Sequence, residues 1–255
     1  MTSDRVVHVE VARGVATLTL DSPANRNALS RAMRTQLRAA LADAFADDAV
    51  RVVVLDHTGR VFCSGMDLAE AAGGSTEDQG VREFPELLEL IWSSGKPVVA
   101  VVRGPARAGG VGLLAACDVV VAGASATFAF SEVRLGIVPA VISAVVLPRM
   151  VPHVAHRLML TGEVFGAELA ATGGLIDLMA PDDEVDDVLA GQLTALAAGA
   201  PAALAETKRL LRAGSSLDFD DLLELSARFF ASEEGQEGIA SFREKRPARW
   251  VPAAD

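Results

Sequence analysis

The chain has 255 residues, 51% of them hydrophobic, enough to bury a sizeable core in one large domain or in one domain with an appendage. Its 34 acidic against 23 basic residues give a formal net charge of −11, and no block of Lys or Arg interrupts it. Phosphate binding needs a concentrated positive face, so this balance argues against a nucleic-acid partner.

Cys63 and Cys117 have neither metal-ligand spacing nor a disulfide framework, which fits a reducing, cytoplasmic setting. The first ten residues, "MTSDRVVHVE", lack the basic and apolar regions of a secretory signal. No uninterrupted apolar run reaches the roughly 18 residues of a membrane span; "GIVPAVISAVVLP" comes closest, and it carries two prolines.

In chain order, "RVVHVEVARGVATLTLD" alternates apolar and polar residues around Arg13-Gly14, which predicts a β-hairpin. The next segment, "NALSRAMRTQLRAALADAFADD", places Leu29, Met33, Leu37, Leu41 and Phe45 four apart, an amphipathic helix with its arginines off the apolar face. In "RVVVLDHTGRVFCSGMDLAEAA" an apolar strand runs into a glycine loop and a helical start. The same design returns in "KPVVAVVRGPARAGGVGLLAACD", and "DVVVAG" adds a third strand. Continuous valine runs suit parallel strands covered on both faces, so the fold class is α/β and the two glycine loops should reach the same sheet edge.

Between these units, "GGSTEDQG" (73–80) reads as a polar, mobile loop. Beyond Asp182 the pattern is helical throughout, with a boundary near residue 195 separating an α/β core (1–195) from a helical C-terminal region (196–255) suited to packing on a neighbouring subunit. His153 and His156 stand three apart, but without a third ligand nearby they read as residues of a surface helix.

The glycines of "RAGGVGLLAACD" (107–118) open a helix, where bare backbone and free N–H groups favour negative charge. A phosphate-binding P-loop would need Lys-Ser or Lys-Thr after them, and none follows. Gly110, Gly112 and Ala115 spell a dinucleotide fingerprint, but "RGPARA" separates them from their strand and "DVVVAG" ends without an acid for a ribose. A third reading is an oxyanion hole formed by one N–H from each strand–loop–helix unit. Close helix–sheet packing is the alternative use of the same glycines.

The segments "PANRNALS", "FCSGMDL", "GPARAGGVGLLAACDVVVAG", "FAFSEVRLGIVPA", "LTGEVFGAELAATGGLID" and "EGIASFREKRP", in that order, resemble the enoyl-CoA hydratase/isomerase (crotonase) family along nearly the whole chain. The resemblance implies a spiral of repeated ββα units with a helical C-terminal region, homotrimers or dimers of trimers, acyl-CoA thioester substrates and no separate cofactor. It places the oxyanion-hole N–H groups on Met66 and Gly109. Of the family's two acid/base glutamates the later one matches Glu132, while the place of the earlier one is taken by Gly112. The stretches "GGVGL" and "FSEVRLGIVPAVIS" look like the branch with methylglutaconyl-CoA-type hydratases.

The resemblance thus implies an enoyl-CoA hydratase adding water to a 2-enoyl thioester, with Glu132, Met66 and Gly109 catalytic. Substrate contacts would fall on Arg26, Ala28, Ser64, Asp67, Leu68, Gly112, Phe242 and Lys245. Moving a double bond needs only one proton-shuttling carboxylate, so a Δ3,Δ2-enoyl-CoA isomerase is the rival, and a non-catalytic acyl-CoA binder is a third reading. Cys63 reads as a small buried thiol rather than a nucleophile, and Asp67 and Asp118 as carboxylates that hydrogen-bond to loop backbone.

Overall fold

The structure is a computed structural model that describes residues 5–72, 82–213 and 218–252; the loop expected at 73–80 lies outside these. Strands β1 (Val7–Ala12) and β2 (Val15–Leu20) pair antiparallel across Arg13 (φ 51°) and Gly14 (φ 76°). Two successive left-handed residues make a turn whose twist matches that of the hairpin. Helix α1 (Arg31–Ala46) starts at Ser30, whose hydroxyl accepts the Met33 N–H at 3.2 Å. Met33, Leu37 and Leu41 form the buried stripe. One arginine departs from the predicted pattern: Arg34 is buried, because its guanidinium bonds to the Leu29 carbonyl (2.5 Å) and pairs with Glu83 (3.0 Å).

There follow β3 (Val52–His57), α2 (Leu68–Ala71), α3 (Glu83–Ser93), β4 (Val98–Val102), β5 (Ala106–Arg107), α4 (Gly109–Ala116), β6 (Val119–Gly123) and β7 (Thr127–Ala129). Next come α5 (Ala140–Val146), α6 (Pro152–Thr161), β8 (Phe165–Gly166), α7 (Ala167–Thr172) and β9 (Leu178–Ala180). The main sheet has the order β1-β2-β3-β4-β6-β9, parallel at every pair beyond the hairpin. Its valines serve two cores at once. Val53, Leu55, Val98, Ala100, Val102 and Val120 face the core under α1, α3 and α4, while Val52, Val54, Val99, Val101 and Val121 face the side covered by α8 (Val185–Ala197). Burial on both faces explains why these strands read as continuous apolar runs. A second, small sheet (β5-β7-β8) stands at the C-terminal ends of β4 and β6.

The chain closes with α9 (Pro201–Ala213), α10 (Phe219–Ala231) and α11 (Glu233–Glu244). Residue 195, the expected boundary, falls inside α8 (Val185–Ala197), of which Val185 and Ala197 are both buried. Asp118 ties α9 to the sheet: its carboxylate accepts the Val98 N–H (2.8 Å) and pairs with Lys208 (2.8 Å) and Arg212 (2.7 Å). Helix α10 buries no residue in this chain, and Phe219, Leu223 and Phe230 stand exposed on it. Among the described residues no single helix is long and apolar enough to cross a membrane.

Asn27 is completely buried and joins the segment before α1 to the turn after β3. It accepts the Ser22 N–H (2.7 Å) and donates to the carbonyls of Thr58 (3.0 Å) and Val61 (2.8 Å). Asn27→Ala strands all three groups, each worth about 1–3 kcal/mol when left unmade in the interior. Urea unfolding should show a loss of at least about 2 kcal/mol; a loss within error would mean that water replaces the amide.

Candidate active site

The small sheet sets three loops side by side. Cys63 bridges Ala106, and Ala106 pairs with Phe128. Met66 and Gly109 each lie three positions past these paired residues, and Glu132 lies four past Phe128. Backbone hydrogen bonds lock the rows: Arg107 N–H to Cys63 O (2.9 Å), Ala108 N–H to Ala129 O (2.9 Å) and Leu29 N–H to Gly65 O (2.8 Å). Gly109 begins α4, so its N–H has no acceptor inside the helix. Neither it nor the Met66 N–H donates to a backbone acceptor in the turns, loops and caps. Ala108, which aims this helix start, holds the strained combination φ 48°, ψ −118°.

Met66, Gly109 and Glu132 all line one cavity of about 280 Å³, together with Ser64, Leu68, Phe84 and the apolar stretch from Leu135 to Ile142. Glu132 opens a 3-10 turn (Glu132–Leu135) just after β7 and is 9% exposed. Its Oε2 is buried without a hydrogen-bond partner. Burial pushes its pKa above the ordinary 4.5, opposed by a weaker bond from its own backbone. It is the sole ionisable group lining the cavity among the described residues. Two residues whose N–H groups donate to no backbone acceptor in the turns, loops and caps, and one carboxyl able to hold or release a proton, thus line the same cavity.

The three glycines of α4 do different things. A Cβ on Gly110 would lie 2.6 Å from the Cys63 carbonyl oxygen, so this glycine lets the two loops touch. A Cβ on Gly112 would lie 2.5 Å from Ile142 Cγ2. The space beside Gly112 is therefore filled from α5 by isoleucine, and Gly112 itself does not line the cavity. A Cβ on Gly109 would press on Leu29 (3.0 Å) and Phe84 (3.2 Å).

Of the other residues named from sequence, Ser64 and Leu68 line the cavity, whereas Arg26, Ala28, Asp67, Gly112, Phe242 and Lys245 do not. The Asp67 carboxylate is engaged as the cap of α2, accepting the Ala69 N–H (3.0 Å) and the Glu70 N–H (3.4 Å). Arg26 is exposed, and its carbonyl accepts the Ser64 N–H (3.1 Å). Phe242 (85% exposed) and Lys245 lie at the end of α11, apart from the cavity in a single chain. Burial pushes the Cys63 thiol up to about 12, which removes a thiolate at neutral pH. His153 and His156 are exposed on α6, and no metal-type cluster occurs among the described residues. Sequence reading did not single out Phe84 or Arg34. Arg34 holds the Leu29 carbonyl beside the Leu29–Met66 bridge, which braces the loop carrying Met66.

The family model for enoyl-CoA hydratase/isomerase matches residues 10–252. The chain belongs to the enoyl-CoA hydratase/isomerase family. It is 38% identical to a Rhodobacter capsulatus protein named "Probable enoyl-CoA hydratase", over 98% of this chain and 99% of that one. The solved structure of an enoyl-CoA hydratase from Mycobacterium avium is 42% identical, with a TM-score of 0.75 over 97% of this chain and 100% of that one. That of an enoyl-CoA hydratase from Mycobacterium smegmatis is 30% identical, with a TM-score of 0.89 over 97% and 99%. The architecture is the crotonase fold.

The fit of Ile142 over Gly112 is testable as a coupling. Gly112→Ala alone should cost about 1–3 kcal/mol through overpacking. In an Ile142→Ala background the same substitution should cost less than about 0.5 kcal/mol, a coupling within the range measured for touching residues. Equal costs in both backgrounds, read by urea unfolding, would show that Ile142 does not occupy that space.

Proposed function

We propose that the protein is an enoyl-CoA hydratase that adds water across the double bond of a 2-enoyl-CoA thioester. The observation that carries the reading is the convergence on one cavity of Met66, Gly109 and the buried carboxyl of Glu132. The thioester oxygen would accept hydrogen bonds from the Met66 and Gly109 N–H groups. As an ionised base, Glu132 would take a proton from water while the hydroxide oxygen bonds to C3, and the π electrons would move through C2 to the thioester oxygen. The resulting enolate is the charge that preorganised N–H donors stabilise, each worth about 3 kcal/mol. The protonated Glu132 would then deliver its proton to C2, which returns the carboxylate and conserves every atom. A carboxyl whose pKa is raised by burial is suited to both halves of this exchange.

A second reading has one specific observation in its favour. With Ile142 packed over Gly112, a single carboxylate serves the cavity, and moving a proton between C4 and C2 needs no more than that. Separate incubation with 2-enoyl and 3-enoyl thioesters decides: 3-hydroxyacyl product from the 2-enoyl ester supports the hydratase, and double-bond migration without water addition supports the Δ3,Δ2-isomerase.

Glu132→Gln should lower kcat by about 10²–10⁴-fold and leave the affinity for a saturated acyl-CoA nearly unchanged. The same variant should be more stable. Because the folded pKa lies above the ordinary value, ionisation of Glu132 carries no cost below about pH 4.5 and a growing one as pH rises through the folded pKa. The variant's unfolding free energy should therefore match the native one in acid and exceed it at neutral pH, by about 1 kcal/mol. Undiminished turnover would remove Glu132 from the reaction.

The exposed apolar residues of α10 and α11 support assembly into a homotrimer or a dimer of trimers. Light scattering should return a mass of three or six chains; a monomer at micromolar concentration would contradict this.

A further inference from the structure

The wall of the cavity away from the thioester-binding loops is built by Phe84, Leu135, Ile137, Val138, Val141 and Ile142. All six are hydrocarbon. At its rim, Leu135 (54%), Ile137 (49%) and Val138 (76%) leave apolar surface in water, which a hydrocarbon chain would cover. Among the described lining residues no Lys, Arg, His, Asn or Gln faces the cavity; the polar side chains are Glu132 and the hydroxyls of Ser64 and Ser131.

We infer that, on the acyl-CoA reading above, this wall selects thioesters whose acyl chain ends in hydrocarbon and turns away those whose chain ends in a carboxylate. A terminal carboxylate entering the cavity would give up its hydration with no cation to receive it. It would also approach the negative charge of Glu132, and two nearby carboxylates disfavour each other's ionised form. A methylglutaconyl-type chain ends in a carboxylate and so belongs to the excluded class. On this account the resemblance of "GGVGL" and "FSEVRLGIVPAVIS" to that branch reflects shared architecture and not a shared substrate.

The test uses a matched, unreactive pair, hexanoyl-CoA and adipoyl-CoA, which carry acyl chains of equal length with and without the terminal carboxylate. Calorimetric titration of the full chain should give a Kd for hexanoyl-CoA at least about a hundredfold lower, equivalent to about 2.8 kcal/mol. Because neither ester reacts, this readout is independent of whether water addition or isomerisation is the activity. Equal affinities would overturn the selectivity even if 2-enoyl esters are hydrated. Failure of both to bind would overturn it together with the acyl-CoA reading. Val138→Arg, at an exposed rim position that leaves the core intact, should shift the adipoyl-to-hexanoyl affinity ratio at least tenfold toward adipoyl-CoA; an unchanged ratio would show that the chain does not run along this wall.

Discussion

The site depends on one close contact between backbones. The loop after β3 and the start of α4 touch where Gly110 meets the Cys63 carbonyl, and a single methyl group there would stand 2.6 Å from that oxygen. The lateral bridges from Cys63 to Ala106 and from Ala106 to Phe128 depend on the same approach. With these rows in register, the spacing of the Met66 and Gly109 N–H groups is fixed by main chain. Side-chain changes on the rim can alter what enters the cavity without moving the donors.

The same geometry concentrates cost around the cavity. Ala108 is held in a strained conformation to start α4, and the Glu132 carboxyl is buried with one oxygen unpartnered. A fold selected only for stability would relieve both. They persist because the parallel sheet, buried on both faces, supplies a rigid support from two separate apolar clusters. Arg34 and Asn27 extend that support to the loops through buried hydrogen bonds.

Much of this was legible in the sequence. Period-two alternation around Arg13-Gly14 marks the hairpin, and unbroken valine runs mark strands covered on both sides. The four-residue apolar period from Leu29 to Phe45 marks α1. The glycine loops point to backbone donors, but not to which glycine does what: Gly110 and Gly112 are packing positions, and Gly109 alone among them lines the cavity. What was hidden is long-range. Ile142 closes over Gly112 from a different helix, and the glycine alone does not say what fills the space beside it. Arg34 sits beside the apolar stripe of α1 and is drawn inward by Glu83, a partner on another helix. Asp67 reads from sequence as a carboxylate bonded to loop backbone, and it accepts two N–H groups of the helix it caps. The boundary expected near 195 falls within α8, whose apolar residues pack on the second cluster of the sheet.

The most direct test is a crystal structure with a saturated short-chain acyl-CoA bound. The account predicts the thioester oxygen at about 2.7–3.1 Å from both the Met66 and the Gly109 nitrogen, with the Glu132 carboxyl facing C2 and C3. A thioester oxygen bound by other groups, or a Glu132 carboxyl turned away from those carbons, would contradict it.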